Sequence, residues 1–175
     1  MKIIAMCAVL LCAVPAAAGA QTVDPQHQAL ASLAGDWTVQ QSLWIGDAQA
    51  PKIDTGTAEF AVVLNRHLRQ TLHIADGTGF EGLGYIGYDN GSAQYFTTWM
   101  DINFPGIVVA YGAYDEASKT YVFRGTMAAS TPGEAGIPVR EVMTVTDARH
   151  FRYDYYETRG GKESLTVRLD YTRSE

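Results

Sequence analysis

Several groups of residues in this sequence have the types that chemistry uses. Gly82-Leu83-Gly84-Tyr85-Ile86-Gly87 matches G-x-G-x-x-G, which cradles a pyrophosphate when it follows a strand and opens a helix. Here the run sits inside a β-type segment and leads into Asp89-Asn90-Gly91, so no helix follows. Glycines inside a strand mark a bulge, a barrel bend or a close approach instead. Of the 4 histidines, His67 and His73 share a strand face with Arg69 and Thr71. Six residues of strand hold them about 20 Å apart, too far to ligate one metal. That face reads as solvated, opposite Leu68, Leu72 and Ile74. His27 on a helix and His150 in a hairpin could each reach a ligand, but no spacing in the sequence assigns one. The H-E-x-x-H, G-x-S-x-G and P-loop patterns are absent. Glu81, Asp101 and Glu141, with Arg124 or Arg140, stand within otherwise apolar strands. A carboxylate beside an arginine in a deep pocket would suit a hydrolase or isomerase. No spacing pairs these residues, so the sequence assigns no catalytic residue and leans against an enzyme.

Charge and length narrow the partners. The chain has 175 residues, with 13 Lys plus Arg against 19 Asp plus Glu, for a formal charge of −6. Phosphate binding needs clustered Lys and Arg, so neither nucleic acid nor an anionic membrane surface is expected as a partner. With 47% hydrophobic residues, 10 Tyr, 6 Phe and 3 Trp, the chain has the material for a core. Met1-Lys2 gives a short positive start, and Ile3 to Val14 is an apolar run broken by Pro15. That run is shorter than the roughly 20 residues that span a bilayer. Ala18-Gly19-Ala20 fits a small-x-small cleavage site. Residues 1–20 are therefore expected to be a signal peptide cleaved after Ala20. Residues 21–175 are expected to be a single periplasmic or secreted domain with no membrane span. Both cysteines, Cys7 and Cys12, lie in the leader, so the mature chain has no disulfide and no thiolate metal site. No metal is expected.

The elements that must position the candidate residues are mostly strands. Pro25 to Ala34, with Ala29, Leu30 and Leu33 apolar, reads as one short helix closed by Gly35. After it come ten segments rich in Val, Ile, Thr, Tyr, Phe and Trp, from Trp37–Trp44 to Ser164–Arg173, separated by turn residues. The expected fold is all-β, an antiparallel up-and-down barrel of about ten strands. Closure removes the exposed sheet edges.

Two hairpins can be registered. A two-residue type I′ turn at Asn90-Gly91 would pair Asp89 with Ser92, Gly82 with Trp99 and Gly84 with Thr97. The indole would lie over a glycine, on a face shared with Phe80, Ile86, Tyr95 and Asp101. In the last hairpin, pairing Thr158 with Ser164 sets Asp154 against Arg168 and Arg152 against Asp170. It also sets Phe151, Tyr153 and Tyr155 against Tyr171, Leu169 and Val167. A one-residue slip would pair charge with apolar side chains. The inward face continues across Asp147-Ala148-Arg149 to Met143 and Val145. Glu141 then stands opposite Tyr155, near an open mouth or hydrogen-bonded inside the barrel.

Gly35-Asp36-Trp37 opens the first strand after the helix, and Arg173 ends the last. This resembles the calycin superfamily, including lipocalins and fatty-acid-binding proteins. There an Arg or Lys from near the C-terminus packs over the tryptophan and closes the barrel end. The resemblance implies a structural pair, Trp37 with Arg173. The chain also resembles the bacterial domain-of-unknown-function family 1579. That rests on Leu33-x-Gly35-x-Trp37, Gly56, Arg66 to Leu72, Gly79-Phe80-Glu81-Gly82, Gly87-Tyr88-Asp89-Asn90, Thr98-Trp99-Met100-Asp101, Gly112-x-x-Asp115, Arg140 and Tyr171-x-Arg173. The family implies a lipocalin-like barrel and brings no catalytic residue. Haem enters only through nitrobindins, more distant barrels that bind it. Their glycine-rich start after the tryptophan is replaced here by Thr38-Val39-Gln40-Gln41. No cofactor is expected.

A barrel with inward aromatics suits a small, mostly apolar ligand. Trp99, Tyr95, Tyr111, Phe123, Met143, Tyr153 and Tyr155 are the candidates for its lining, with Glu141 and Asp101 as polar candidates. Some of the aromatics can equally be packed core. A non-catalytic protein-interaction module is the third expectation, and it would require a contiguous exposed apolar patch.

Overall fold

A computed structural model describes residues 23–46, 48–129 and 131–175. The leader and its cleavage site lie outside the described residues.

The helix α1 spans Pro25–Ala31, with Pro25 at its start where a missing amide hydrogen costs nothing. It ends earlier than the sequence suggests. Ser32 and Leu33 turn, and Gly35 becomes the first residue of the first strand instead of the helix cap. Gly35 has φ +135°, and a Cβ there would stand 2.6 Å from an Arg173 guanidinium nitrogen. The glycine is needed for this close approach.

Ten strands follow among the described residues: β1 Gly35–Leu43, β2 Lys52–Val63, β3 His67–Ile74, β4 Phe80–Asp89, β5 Gln94–Asp101, β6 Phe104–Asp115, β7 Thr120–Met127, β8 Ile137–Asp147, β9 His150–Arg159 and β10 Lys162–Arg173. Each pairs antiparallel with its chain neighbours, and β1 pairs with β10, so the sheet closes. Buried residues alternate along β1 as Trp37, Val39 and Gln41, the period of two that a one-sided strand dictates.

Both registered hairpins keep their faces but differ at the turn. Asp89 pairs with Gln94 instead of Ser92, which sets Gly84 against Trp99 and Gly82 against Asp101. The cause is a four-residue loop. The Asp89 carboxylate accepts from the Gly91 amide at 2.8 Å and the Ser92 hydroxyl at 2.9 Å, and Ala93 takes a positive φ of 54°. The shift is two residues, so every side chain stays on its expected face. In the last hairpin Gly160 and Gly161, at φ 58° and 79°, make the tight turn. Thr158 therefore pairs with Glu163, not Ser164. An irregularity between Leu165 and Val167 then restores the charge-matched register. Beyond it Arg168 bonds Asp154 at 2.6 Å and Arg152 bonds Asp170 at 2.7 Å.

One barrel end is filled. Trp37 is 1% exposed, with Phe151 edge-on at 4.7 Å, and Phe151 stacks on Tyr171 at 4.2 Å. Phe60 completes this group, and Tyr88, Tyr95 and Tyr121 form a second chain of rings beside it. The Arg173 guanidinium lies 4.3 Å over the Trp37 ring. It also donates to the carbonyls of Ala34, Ser32 and Ala148 at 2.7, 2.9 and 2.9 Å. The chain's last strand thus ties down the helix exit and the β8–β9 turn. Helix α1 sits against β3 and β4 at this end, with His27 bonded to the Tyr88 carbonyl at 3.2 Å. His67 is not on a merely solvated face. Its ring lies 6.3 Å from that of His27 and 5.6 Å from that of Phe96, and burial, with the charges of His27 and Arg66, lowers its pKa.

Candidate functional site: the barrel cavity

The half of the barrel away from α1 is hollow. A cavity of about 390 Å³ opens toward the β3–β4 and β5–β6 turns, where Asp76, Phe80, Asn103 and Phe104 reach it. Leu43, Ile86, Trp99, Val108, Val167 and Leu169 supply apolar wall, and Met127 and Tyr155 stand beside it. Gly82 and Gly84 make room on the β4 side. A Cβ on Gly82 would meet the Trp99 indole at 2.1 Å, and one on Gly84 would meet it at 2.9 Å. The ring lies flat over glycine backbone, and Trp99 Nε1 donates to Asp101 at 2.9 Å. Asp101 also accepts from the Asn103 and Phe104 amides at 2.8 and 3.0 Å. The turn at the mouth and the indole are therefore held by one carboxylate.

Polar groups lie deeper. Gln41, Gln70, Thr97, Glu141 and Tyr153 all line the cavity. Gln70 donates to the Tyr171 hydroxyl at 2.8 Å, which links this layer to the packed end. Glu141 is 1% exposed and accepts from the Thr97 hydroxyl at 2.6 Å. The Tyr153 hydroxyl faces it as well and favours its charged form. Burial pushes the Glu141 carboxyl above its ordinary pKa, and the two hydroxyls offset only part of that. The same enclosure, with the Glu141 charge beside it, pushes the Tyr153 phenol up. The Tyr155 hydroxyl lies 3.7 Å from the Met127 sulfur, and burial raises its pKa too.

Of the residues singled out from sequence, Trp99, Tyr153, Tyr155, Glu141 and Asp101 come together around this cavity. Tyr95, Phe123 and Met143 are packed in the core, at 7%, 0% and 1% exposure. Tyr111 is on the outer face and half exposed, because Val108 and Ala110 set the inward phase of β6. Gln41, Gln70, Thr97 and Met127 were missed. A polar residue in an inward phase was the available signal, as with Gln41 after Trp37 and Val39, and Gln70 between Leu68 and Leu72. The carboxylate–arginine pocket does not form. Glu81 is exposed. Arg124 is exposed, and Arg140 bonds Glu163 at 2.9 and 2.7 Å while lying over Tyr156. Among the described residues, no Lys, Arg or His lines the cavity. An imidazole-ligated haem has no axial donor among these residues. Among the described residues no group of three His, Cys, Asp or Glu is placed to hold a metal. No helix among them is long and apolar enough to cross a membrane.

Residues 22–173 match the family described as "Protein of unknown function (DUF1579)". The chain belongs to this family. The match spans α1 and all ten strands. A comparison with curated proteins finds no match. Among solved structures, the crystal structure of Rv2717c from M. tuberculosis is similar, with TM-score 0.65 and 15% identity over 88% of this chain and 100% of that one. At that identity the likeness shows a shared barrel fold. A redesigned beta barrel matches with TM-score 0.45 and 13% identity, over 88% of this chain and 100% of that one.

Proposed function

We propose that this chain is an exported binding protein that takes a small, mostly apolar molecule into the barrel cavity. One observation carries the reading: a hollow half-barrel with apolar walls and a few hydrogen-bonding groups at depth. Sites of that form bind small molecules, with the walls giving affinity and the polar groups orientation. Export, to the periplasm or out of the cell, rests on the apolar run and the Ala18-Gly19-Ala20 pattern. The acidic balance supports no nucleic-acid partner.

The test has two arms. The organic extract of the purified protein is examined by mass spectrometry for a co-purified species. Tryptophan fluorescence is followed during titration with lipids and small aromatics, with Trp99→Phe as the control. A saturable change that is mostly lost in Trp99→Phe is expected, because Trp99 lines the cavity, whereas Trp37 is sealed in the packed end and Trp44 is outside the lining. No co-purified species together with no titratable response would refute the reading.

A further inference from the structure

The charges around the cavity all have one sign. Asp76, Asp101, Glu141 and Glu157 line it, and no cationic side chain among the described residues does. Of these, Glu157 has a partner outside, Arg159 at 2.6 Å. Lys52 approaches Asp76, but it pairs with Asp54 at 3.0 Å and donates to the Asp76 main-chain carbonyl at 3.2 Å. Asp101 is held by neutral donors, the Trp99 indole and two amides. Glu141 is held by the Thr97 hydroxyl and by Tyr153. The carboxylates also converge, since the Tyr155 phenol feels Glu157, Glu141 and Asp101 together, with Arg159 opposing them.

From this arrangement we propose that the bound molecule is an organic cation, an amine or quaternary ammonium on an apolar body. The inference rests on the reading that the cavity binds a small molecule and names the class. Inside a barrel the effective dielectric is low, so a fatty carboxylate or other anion would meet like charge with nothing to offset it. An ammonium group meets the opposite. Glu141 at the floor and Asp101 at the mouth compensate its charge, and the faces of Trp99, Tyr153 and Tyr155 attract it through their π systems. A protonated amine reaching Glu141 forms an ion pair with its carboxylate.

The experiment uses the full mature chain and three probes that share one apolar body: phenylbutylamine, phenylbutanol and phenylbutanoate. Calorimetry at pH 7 should rank the amine about tenfold or more above the alcohol, with the carboxylate weakest. Glu141→Gln and Asp101→Asn should each weaken the amine by about tenfold and leave the alcohol within about twofold. Either variant suffices if the other does not fold. A carboxylate that binds as tightly as the amine, or an amine unaffected by both variants, overturns the cation assignment and leaves the cavity as a binding site. If none of the three probes binds, the binding-protein reading fails with it.

Discussion

At the scale of single residues, Glu141 carries the sharpest conflict between type and place. A carboxylate sealed from water with only hydroxyl partners is destabilised in its charged form. Its pKa in the folded barrel is therefore above the ordinary value near 4.5. The direction of the resulting pH dependence follows from linkage. Below the unfolded-state pKa both states hold the proton and nothing is lost. Above it the unfolded chain ionises first, so the folded state loses stability until its own carboxyl ionises. Thr97 on β5 and Tyr153 and Tyr155 on β9 face the group, and none of them titrates in that window. Glu141→Gln removes the effect and keeps the shape. Urea unfolding of both proteins from pH 4 to pH 8 should show the glutamine variant gaining over the parent as pH rises, by at most about 1.4 kcal/mol per pH unit. A difference that stays flat with pH would show that Glu141 ionises as freely as an exposed carboxylate.

At the scale of elements, the contact between the start of β1 and the end of β10 closes the filled end. Trp37 contributes a buried ring, and its indole N–H donates to the Leu33 carbonyl at 3.0 Å. Arg173 contributes a planar cation over that ring and three hydrogen bonds to carbonyls of other segments. Trp37→Ala should cost about 3–5 kcal/mol, as for other buried aromatics. Arg173→Ala should cost about 2–3 kcal/mol, because the stacking and several charge-assisted hydrogen bonds go together. The two residues touch, so a double-mutant cycle by urea unfolding should give a coupling of at least about 0.5 kcal/mol. A coupling near zero would reduce Arg173 to a tie between loops with no part in sealing the ring. Neither change should alter which probes the cavity prefers, since the pair lies at the opposite end.

At the scale of the whole molecule, one closed sheet encloses two different interiors. The end beside α1 is filled with aromatic rings packed mostly edge-on, and the other end is hollow. Local opening is easier where fewer apolar contacts must be broken. Native-state hydrogen exchange should therefore be slowest at Val39, Phe60, Tyr121, Phe151 and Tyr171. It should be faster by about tenfold or more at Leu43, Met127 and Glu157 around the mouth. A saturating ligand should slow the second group and leave the first unchanged. Uniform protection along each strand would mean that the barrel opens as one unit and that the hollow half is as firmly held as the filled one.

Much of this architecture is local information, and so the sequence alone determined it. Alternation with period two marks strands and the side each residue faces. That was enough for ten strands and the charge-matched pairs of β9 and β10, whereas closure followed from the number of strands and the Trp37–Arg173 seal from the calycin resemblance. Turn chemistry was harder. Asn90-Gly91 suits a two-residue turn, but the Asp89 carboxylate and Ala93 favour a longer one, and the register moved by two. Tertiary structure alone decided the site. Tyr95, Phe123 and Met143 share an inward phase with Trp99, Tyr153 and Tyr155, yet the first three are packed and the others border a void. Phase encodes a side of the sheet, whereas depth along the barrel axis depends on how every register adds up around the closed ring. The same holds for the polar floor. Thr97 and Glu141 are 44 residues apart, and only barrel closure brings their oxygens within hydrogen-bond distance.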